Sequence, residues 1–299
     1  MVGGDARTER LAIAALVAGG VGIAFAPIFV RWSETGPLST AFWRLALAAP
    51  LMAFWAERRL PSRREALRLA VPGLFFAADL GVWHWSIRFT TVANATLLAN
   101  FAPVLVTLGG YLFFRRTFGR LFLVGMVVAI LGTVLLVGVG RTRSLRGDAL
   151  GLLTAVFYAG YILSVSRVRE RHSTATVLVW SASAAAVVLL PPCLLTGERI
   201  LPETGTGWLD LLGLALVSHV GGQGLIAYAL RHLPASFSSV TLLVQPVGAM
   251  LLAWWFFGEA MGPVQGLGAA VVVAGILLAR AGSRPPGGAT AVAHSADPK

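Results

Sequence analysis

Residues 246–278 have the sequence PVGAMLLAWWFFGEAMGPVQGLGAAVVVAGILL, and residues 103–135 have the sequence PVLVTLGGYLFFRRTFGRLFLVGMVVAILGTVL. The two stretches are 143 residues apart, and over the longer pair 88–135 and 231–278 eleven of 48 positions are identical without a gap. The Pro and Gly matches carry the signal because these residues have positional roles in the backbone, whereas Leu and Val often match by chance. An internal repeat of this kind predicts that the chain is built from two related halves.

The composition of the chain excludes an ordinary soluble domain. Of 299 residues, 57% are hydrophobic and only 12% are charged, and the mean hydropathy is +0.77. A soluble domain carries roughly 25% charged residues, so we predict an integral membrane protein. The single cysteine, Cys193, excludes an intramolecular disulfide and a multi-thiolate metal site. Lys299 is the only lysine, which excludes a Walker-type phosphate loop.

Ten apolar stretches are long enough to cross a bilayer, for which a helix needs about 20 mainly apolar residues. They lie between charged or turn-forming clusters, at residues 11–30, 38–56, 66–87, 92–114, 121–139, 149–167, 174–195, 208–230, 235–257 and 263–281. The first stretch is too long for a signal peptide and lacks a small-x-small cleavage site. Residues 283–299 are small and polar, and we expect a disordered cytoplasmic tail there.

The cationic residues form short clusters between the apolar stretches, so the net charge of +11 points to membrane orientation and not to nucleic acid. With the N-terminus in the cytoplasm, 17 cations lie on the inner side, 6 on the outer side, and one, Arg44, inside the second span. The cations between Arg141 and Arg146 lie on the outer side and are exceptions to the rule that cations are enriched on the cytoplasmic side. The balance predicts cytoplasmic N- and C-termini, and the Arg-rich, Lys-poor usage favours a bacterial inner (plasma) membrane.

Each half of the chain contains five spans, and this odd number makes the two halves cross the membrane in opposite directions. We therefore predict an all-α integral membrane protein of ten transmembrane helices, arranged as two inverted five-helix repeats at residues 11–139 and 149–281. Inverted repeats are typical of secondary transporters, which bind their substrate near the membrane midplane between the halves. Rocking of one half against the other would open such a site to each side in turn.

The stretch 246–278, with its Gly258-Glu259 pair, and the second span AFWRLALAAP (residues 41–50) resemble the EamA-like family of the drug/metabolite transporter superfamily. The resemblance extends over residues 11–281 and implies ten helices around a central cavity, lined mainly by spans 1, 3, 4, 6, 8 and 9. It also implies export of small metabolites, often amino acids, driven by an ion gradient or by the solute's own gradient. In the first half Arg116 stands where the family has its usual Glu, so this half departs from the pattern.

Asp79 is the only acid deep inside a predicted span, where a central charge costs about 2.5–3.5 kcal/mol on translocon scales. It lies a little past the middle of span 3, among aromatic residues that include Trp83. An isolated acid at this depth is a candidate for binding a coupling proton. The alternative is that Asp79 bonds to a neighbouring helix and serves packing only.

His219 lies near the centre of span 8, and Gln223 follows one turn later on the same face of an α-helix. The repeat offset pairs His219 with Phe76, which puts His219 at a depth comparable with that of Asp79. We therefore expect His219 and Gln223 beside the substrate pathway, where His219 could share a proton with Asp79. A buried histidine that only satisfies its own hydrogen bonds is the alternative.

Polar residues recur at helical spacing on spans 4, 6 and 9. Asn100 and Gln245 lie close to the repeat prolines, which deprive the carbonyls of Ala99 and Leu242 of their usual helical partners. Carbonyls of this kind beside a cavity can bind solute or cation, so we place Asn100 and Gln245 on the pathway. Interhelical hydrogen bonding is the alternative. The same stripes contain Thr96, Thr107, Ser238 and Thr241, and on span 6 Thr154, Tyr158 and Tyr161. We also place Tyr158 and Tyr161, together with Trp83 of span 3, on the pathway.

Arg44 lies near the outer end of span 2, at a depth of roughly 9 Å by helical rise. At that depth we expect its guanidinium to snorkel toward the outer interface. The alternatives are an ion pair with Asp79 and a contact with a substrate carboxylate. In each case Arg44 belongs to the candidate pathway.

The sequence favours a transporter over an enzyme because it contains no Gly-x-Ser-x-Gly or HExxH motif and a single deep acid. We expect a secondary active exporter of small amphipathic metabolites such as amino acids, without a metal or other cofactor. A passive channel or facilitator is the main alternative, since inverted repeats also occur in pores. The expected partners are the small-molecule substrate, the lipid bilayer and a coupling proton, with no nucleic acid, in a monomer or homodimer.

Overall fold

The structure is a computed structural model that describes residues 6–138 and 144–283, and of Val92 and Ala93 the backbone only. Within these ranges the chain forms α-helices and one π-helical segment, and no strand. Helices are expected in a bilayer, because every backbone N–H and C=O group must find its partner within the segment. The all-α expectation is therefore confirmed for the described part of the chain.

Helical segments follow one another through both halves of the chain. The first half contains α1 (Ala6–Ala24), α2 (Ala26–Trp32), α3 (Pro37–Ala53), α4 (Arg63–Ser86), α5 (Val92–Ala99), α6 (Ala102–Phe114) and α7 (Arg120–Val137). The second half contains α8 (Leu145–Val168), α9 (Thr174–Leu195), α10 (Gly205–Gly213), the π-helical segment (Leu214–Gln223), α11 (Gly224–His232), α12 (Ala235–Thr241), α13 (Val244–Phe257) and α14 (Pro263–Ser283). Side-chain oxygens that accept the backbone N–H three residues later cap the helices that follow Ser62, Thr91, Ser144, Ser173 and Thr204.

Nine helices or runs of helices in the described ranges are long and apolar enough to cross a membrane. The predicted second span corresponds to α3, which has 17 residues and is not among these nine. The tail is predicted to begin at Ser283, but this residue is the last one of α14. The rest of the expected tail lies outside the described residues.

Three predicted spans are broken near a proline. Span 1 divides into α1 and α2 at Phe25, span 4 into α5 and α6 at 100–101, and span 9 into α12 and α13 at 242–243. A proline within the next four residues explains each break, because its ring lacks the N–H and clashes with the preceding turn. The breaks in spans 4 and 9 fall at nearly equivalent positions of the repeat.

Helices α7 and α14 pack against each other through glycines. A Cβ atom on Gly125 would lie 2.2 Å from the backbone nitrogen of Ala279, and one on Gly275 would lie 2.3 Å from that of Ala129. The equivalent distances are 2.5 Å for Gly132 to Val272 and for Gly268 to Leu136. Contacts that join early residues of α7 to late residues of α14 make the pair antiparallel. Each contact also has a counterpart at the positions shifted by the repeat offset.

Most of the other helices form two bundles, and each bundle includes one helix from the other half of the chain. In the first bundle α4, α5 and α6 pack against α8, and in the second the π-helical segment, α11 and α13 pack against α1. Large apolar side chains cover the outside; on α7, for example, Leu123, Val127 and Leu131 are 39–55% exposed. In a bilayer such side chains face lipid.

The two ends of the molecule differ in their loop contacts. We call the end at which α2, α4 and α13 finish the mouth end, and the opposite end the closed end. At the mouth end the N–H of Gly36 donates to the carbonyl of Arg199 at 3.0 Å. At the closed end the N–H of Ser173 donates to the Glu57 carboxylate at 2.6 Å. These bonds tie the loops around α3 to those around α9 at both ends.

Candidate functional site

A cavity of about 790 Å³ lies between the two bundles and extends to the mouth end. Its walls come from α1, α2, α3, α4, α8, the π-helical segment and the broken helices α5–α6 and α12–α13. Small-molecule sites in proteins are clefts of roughly 300–1,000 Å³, lined mostly by apolar groups with a few convergent polar ones. The volume and lining of this cavity fit that description, which makes it the candidate site.

Most of the residues that the sequence placed on the substrate pathway meet in this cavity. Tyr161 and His219 lie behind its wall, packed on Phe76, whose own side chain lines the cavity. The other predicted residues line the cavity itself: Arg44, Asp79, Trp83, Asn100, Tyr158, Gln223 and Gln245.

Two tyrosines of α8 organise the polar part of the wall. The Tyr161 hydroxyl donates to Oε1 of Gln223 at 3.0 Å, and Nε2 of Gln245 donates to the Tyr158 hydroxyl at 3.3 Å. The Tyr161 ring also stacks on Phe76 of α4, with centroids 4.8 Å apart. The two hydrogen bonds link the first bundle to the second, so a movement of one bundle against the other must rearrange them.

Arg44 is buried beside the cavity and does not snorkel to the membrane interface. Only 7% of the residue is exposed, and Nε and Nη2 are buried without a hydrogen-bond partner. Its guanidinium carbon lies 5.6 Å from the centroid of the Phe76 ring. The expected snorkelling is therefore wrong, because the side chain turns from α3 toward the interior of the bundle.

Asp79 lines the same cavity from α4, half-buried, and no described residue forms a hydrogen bond or an ion pair with its carboxylate. The alternative of a structural bond to a neighbouring helix is not realised in this conformation. Trp83, one turn further along α4, lines the same wall. The carboxylate oxygens of Asp79 are thus available to a proton or to a cationic group of a solute.

His219 is in a different position from the one expected. It is 2% exposed, neither ring nitrogen has a hydrogen-bond partner, and its ring centroid lies 5.8 Å from that of Phe76. The residue lies inside the π-helical segment and packs against Phe76, whose side chain lines the cavity. Gln223 therefore reaches the cavity while His219 lies behind Phe76, and no bond joins His219 to Asp79.

The breaks in spans 4 and 9 lie beside the cavity, as expected. Of the two carbonyls that lose their helical partner to a proline, one forms another hydrogen bond. Ala99 and Leu242 both line the cavity. The Leu242 carbonyl nevertheless accepts the N–H of Gln245 at 3.0 Å, a tighter turn that replaces the missing helical bond. Nδ2 of Asn100 donates to the Thr96 carbonyl at 2.9 Å, which leaves its Oδ1 available to a solute.

The polar stripes reach the cavity only in part. Thr96 and Thr154 line it. On α12 the polar residue that lines the cavity is Ser239, which the spacing does not predict, and Ser238 is fully buried with no partner for its Oγ. Other members bond elsewhere: Thr107 donates to the sulfur of Met126 at 3.5 Å, and Thr241 to the Phe237 carbonyl at 3.0 Å.

Arg31 is a cavity residue that the sequence identified only as an outer-side cation. It lies at the mouth, where Nη1 is 2.5 Å from Oε1 of Glu259 and the guanidinium carbon is 4.0 Å from the centroid of Phe257. Glu259 belongs to the Gly258-Glu259 pair of the sequence, and this motif is the feature from which a contact at the mouth could have been predicted. The pair joins the end of α2 to the segment after α13.

The cavity polar groups are suited to binding an organic solute. Among the described residues, no group of three or more His, Cys, Asp or Glu side chains could hold a metal ion. Two arginines, one carboxylate, three amides and a tyrosine hydroxyl line a mainly apolar space, together with His84 and the hydroxyls of Thr96, Thr154 and Ser239. This arrangement can hold a small molecule that has an apolar body and a few polar groups.

Comparisons with known proteins identify the family. A model of the EamA-like transporter family matches residues 10–138 and again residues 145–281. The pseudopaline exporter CntI of Pseudomonas aeruginosa is 29% identical over 221 residues, which cover 73% of this chain and 77% of that protein. A Streptantibioticus cattleyicolor protein named probable terminal-alkyne amino-acid exporter is 27% identical over 262 residues, or 85% of this chain and 88% of its own length.

A solved crystal structure agrees in fold, with a TM-score of 0.74 at 18% sequence identity over 92% of this chain and 98% of that chain. Both halves of the chain match the same family model, and the named relatives are transporters and not enzymes. The chain therefore belongs to the EamA-like transporter family and is a multi-pass membrane transporter.

Proposed function

We propose that the chain is a secondary active exporter of small amphipathic metabolites, such as amino acids, which works by alternating access. The observation that carries this proposal is a cavity of about 790 Å³ that lies between the two bundles and extends to one end of the molecule. A carrier requires a site that is accessible from one side at a time. The exporter names of two relatives support the direction and the class of solute.

Alternating access rests on two inverted five-helix repeats, which we propose to cover residues 11–139 and 149–281. For ten spans, α3 must cross the membrane with its 17 residues. The doubled glycine contacts between α7 and α14 support the inversion. So do Arg115 and Gly258, equivalent residues that both adopt left-handed φ angles, of 50° and 65°, where α6 and α13 end.

The packing of the bundles indicates how the site would change sides. At the closed end α12 packs against α6 and α8, and residues 235–241 are all buried. The repeat offset relates α12 to residues 92–98 of α5, and α6 to α13. In the opposite state α5 would pack against α13 at the mouth end while α12 releases α6, so that the same cavity opens to the other side.

The distribution of cations supports the orientation. With both termini in the cytoplasm of a bacterium and the chain in the inner membrane, the mouth end lies outside, so this conformation faces outward. The cavity is enclosed by a single chain, which allows function as a monomer or as one protomer of a homodimer. The bilayer, the solute and a coupling proton are then the partners that the transport cycle needs.

Proton coupling is proposed to depend on Asp79. Its carboxylate has no hydrogen-bond partner among the described residues and lines the cavity, where a proton and a solute can compete for it or bind together. An ionised carboxylate is costly inside a membrane, so its protonation would change the energy of moving the bundles. A gradient of protons would then bias the direction of transport.

Uptake into proteoliposomes tests this function. Purified protein is reconstituted, and a panel of amino acids and related metabolites is offered with and without an imposed pH gradient, for the wild type, Asp79→Asn and the control Asp210→Asn. Asp210 is an acid of α10 that does not line the cavity. We expect saturable uptake that the gradient stimulates in the wild type and the control but not in Asp79→Asn.

The other outcomes separate the alternatives. Saturable transport that ignores both the gradient and Asp79→Asn would refute the proton role and leave a facilitator or exchanger. A continuous, non-saturating conductance would refute the carrier and favour a channel.

A further inference from the structure

The charge on Arg44 has no counterion in direct contact. No described residue forms an ion pair or a hydrogen bond with its guanidinium, and Nε and Nη2 are shielded from solvent. Asp79 and the hydroxyls of Tyr158 and Tyr161 are near enough to interact with it electrostatically but do not bond to it. A cation held in this way inside a membrane domain is unfavourable unless a ligand completes its environment.

The position of Arg44 points to a ligand in the cavity. Its side chain lines the cavity from α3, and the carboxylate of Asp79 and the hydroxyl of Tyr158 line the same space from α4 and α8. Nε and Nη2 of the guanidinium are buried, so a carboxylate in the cavity reaches Nη1 in this conformation, and a turn of the side chain toward the cavity would present two parallel donors to it. Since Arg31 is paired with Glu259, the cavity contains one unpaired binding group for an anion, Arg44, and one for a cation, Asp79, within a mostly apolar enclosure.

We propose that Arg44 anchors a carboxylate of the transported solute, and that Asp79 faces the cationic part of the same solute. The pair selects carboxylate-bearing, zwitterionic molecules, whose apolar portion packs on walls such as Leu80 and Trp83. This inference deepens the proposed function and rests on the cavity being the solute site. Arg44 is then a specificity-determining residue, and its buried, unpaired state is the empty form of an anion site.

A phosphate group could also match the guanidinium fork, but the surroundings favour a carboxylate. Asp79 lines the same cavity, so a dianionic phosphate would meet a negative charge. A monoanionic carboxylate with a neighbouring ammonium group leaves the site neutral when both are bound. The amide network of Gln223 and Gln245 adds neutral donors and acceptors and no further charge.

Ligand-induced thermal stabilisation in lipid nanodiscs tests the inference without requiring transport. The probes are matched pairs of amino acids and their carboxamides with small, branched and aromatic side chains, together with inorganic phosphate. The proteins are the wild type, Arg44→Gln, Arg44→Lys and, as a control, Arg68→Gln. Arg68 is an exposed arginine of α4 that does not line the cavity.

We expect the wild type and Arg68→Gln to bind at least one amino acid about tenfold or more tightly than its carboxamide, the scale of a lost charge-assisted contact. Arg44→Gln should bind the acid and the carboxamide within about threefold of each other. If Arg44→Gln does not fold, Arg44→Lys decides, because a single ammonium cannot form the two-pronged contact and should reduce the preference for the acid.

Several results would overturn the proposal. They are equal binding of acid and carboxamide by the wild type, no binding of any acid in the panel, an unchanged preference in Arg44→Gln or Arg44→Lys, and stronger binding of phosphate than of every amino acid. The proposed transport function and the proposed role of Arg44 can be refuted independently of each other. An Arg44-dependent preference without uptake into proteoliposomes would refute the transport function and keep the anchor, whereas gradient-driven uptake with an unchanged preference would do the reverse.

Discussion

The glycine contacts between α7 and α14 make a quantitative prediction. In Gly132→Ala the new Cβ atom would lie 2.5 Å from the backbone nitrogen of Val272, about 1 Å inside an ordinary van der Waals contact. The atom in the way belongs to the backbone, so α14 must move as a whole. Overpacking costs about 1–3 kcal/mol, and here we expect the upper part of that range. Alanine recovers up to about 1 kcal/mol of helix propensity, so the net loss of stability is about 2 kcal/mol.

Thermal unfolding in detergent or nanodiscs, followed by tryptophan fluorescence, measures this loss. Gly275→Ala, the equivalent change on α14, should cost about the same, because its Cβ would lie 2.3 Å from the nitrogen of Ala129. Gly266→Ala is the matched control on the same helix, since a Cβ atom there meets nothing within 4 Å. The control should be neutral or stabilising by up to about 1 kcal/mol. Wild-type stability of both Gly132→Ala and Gly275→Ala would refute the close antiparallel contact, as would equal destabilisation of the control.

Three further predictions concern the ends of helices, and thermal unfolding measures each of them. Gly258→Ala should lose about 1 kcal/mol, because φ is +65° there, whereas Arg115→Gly at the equivalent position should lose nothing; an unaffected Gly258→Ala would contradict the left-handed cap. Hydrogen bonding to the N–H of Ser173 lowers the pKa of Glu57 below its ordinary value of 4.5, so this carboxylate stabilises the fold above that value and loses its effect as the pH falls through the lowered pKa. Glu57→Gln should therefore lower the melting temperature at neutral pH and not in strong acid, and an equal loss at both would exclude the ionic contribution. Glu259→Gln should change stability by less than about 1 kcal/mol, since its ion pair with Arg31 is more than half exposed; a larger loss would mean that the pair is buried in the working state.

Much of the architecture follows from prolines and glycines that the sequence displays directly. A proline removes a backbone donor wherever it stands, so the breaks in spans 4 and 9 could be placed from Pro103 and Pro246. Close packing of helices in a membrane needs small residues, and the repeated glycines of α7 and α14 are in fact the contact. These features are local, which is why a single sequence suffices to find them.

The contacts of side chains on a helix face could be predicted only in part. The helical period assigns His219 and Gln223 to one face, but only Gln223 lines the cavity, because Phe76 of α4 covers His219. The side chain of a neighbouring helix that covers a given position is set by tertiary packing, and no local pattern predicts it. The tighter turn that satisfies the Leu242 carbonyl is likewise a tertiary outcome.

The position of Arg44 shows the limit of arguments from depth. Its distance from the predicted membrane interface is compatible with snorkelling and with burial, and only the direction in which α3 presents the side chain distinguishes the two. That direction is set by the packing of α3 on α9 and on the π-helical segment. Asp79, in contrast, could be identified from its isolation among apolar residues, because any inward-facing acid at that depth must face a cavity or a partner.

Counterflow in proteoliposomes tests most directly whether the cavity opens to one side at a time. Vesicles containing wild-type protein are loaded with an unlabelled amino acid that the uptake panel has identified, and are then diluted into the labelled form of the same molecule. An alternating-access carrier should accumulate label transiently above its external concentration. Unlabelled solute inside the vesicle returns the site to the outside, where the site binds label, and competes with label for the site on the inside. Label that only rises to equilibrium, at a rate proportional to its concentration, would contradict alternating access and indicate an open pore.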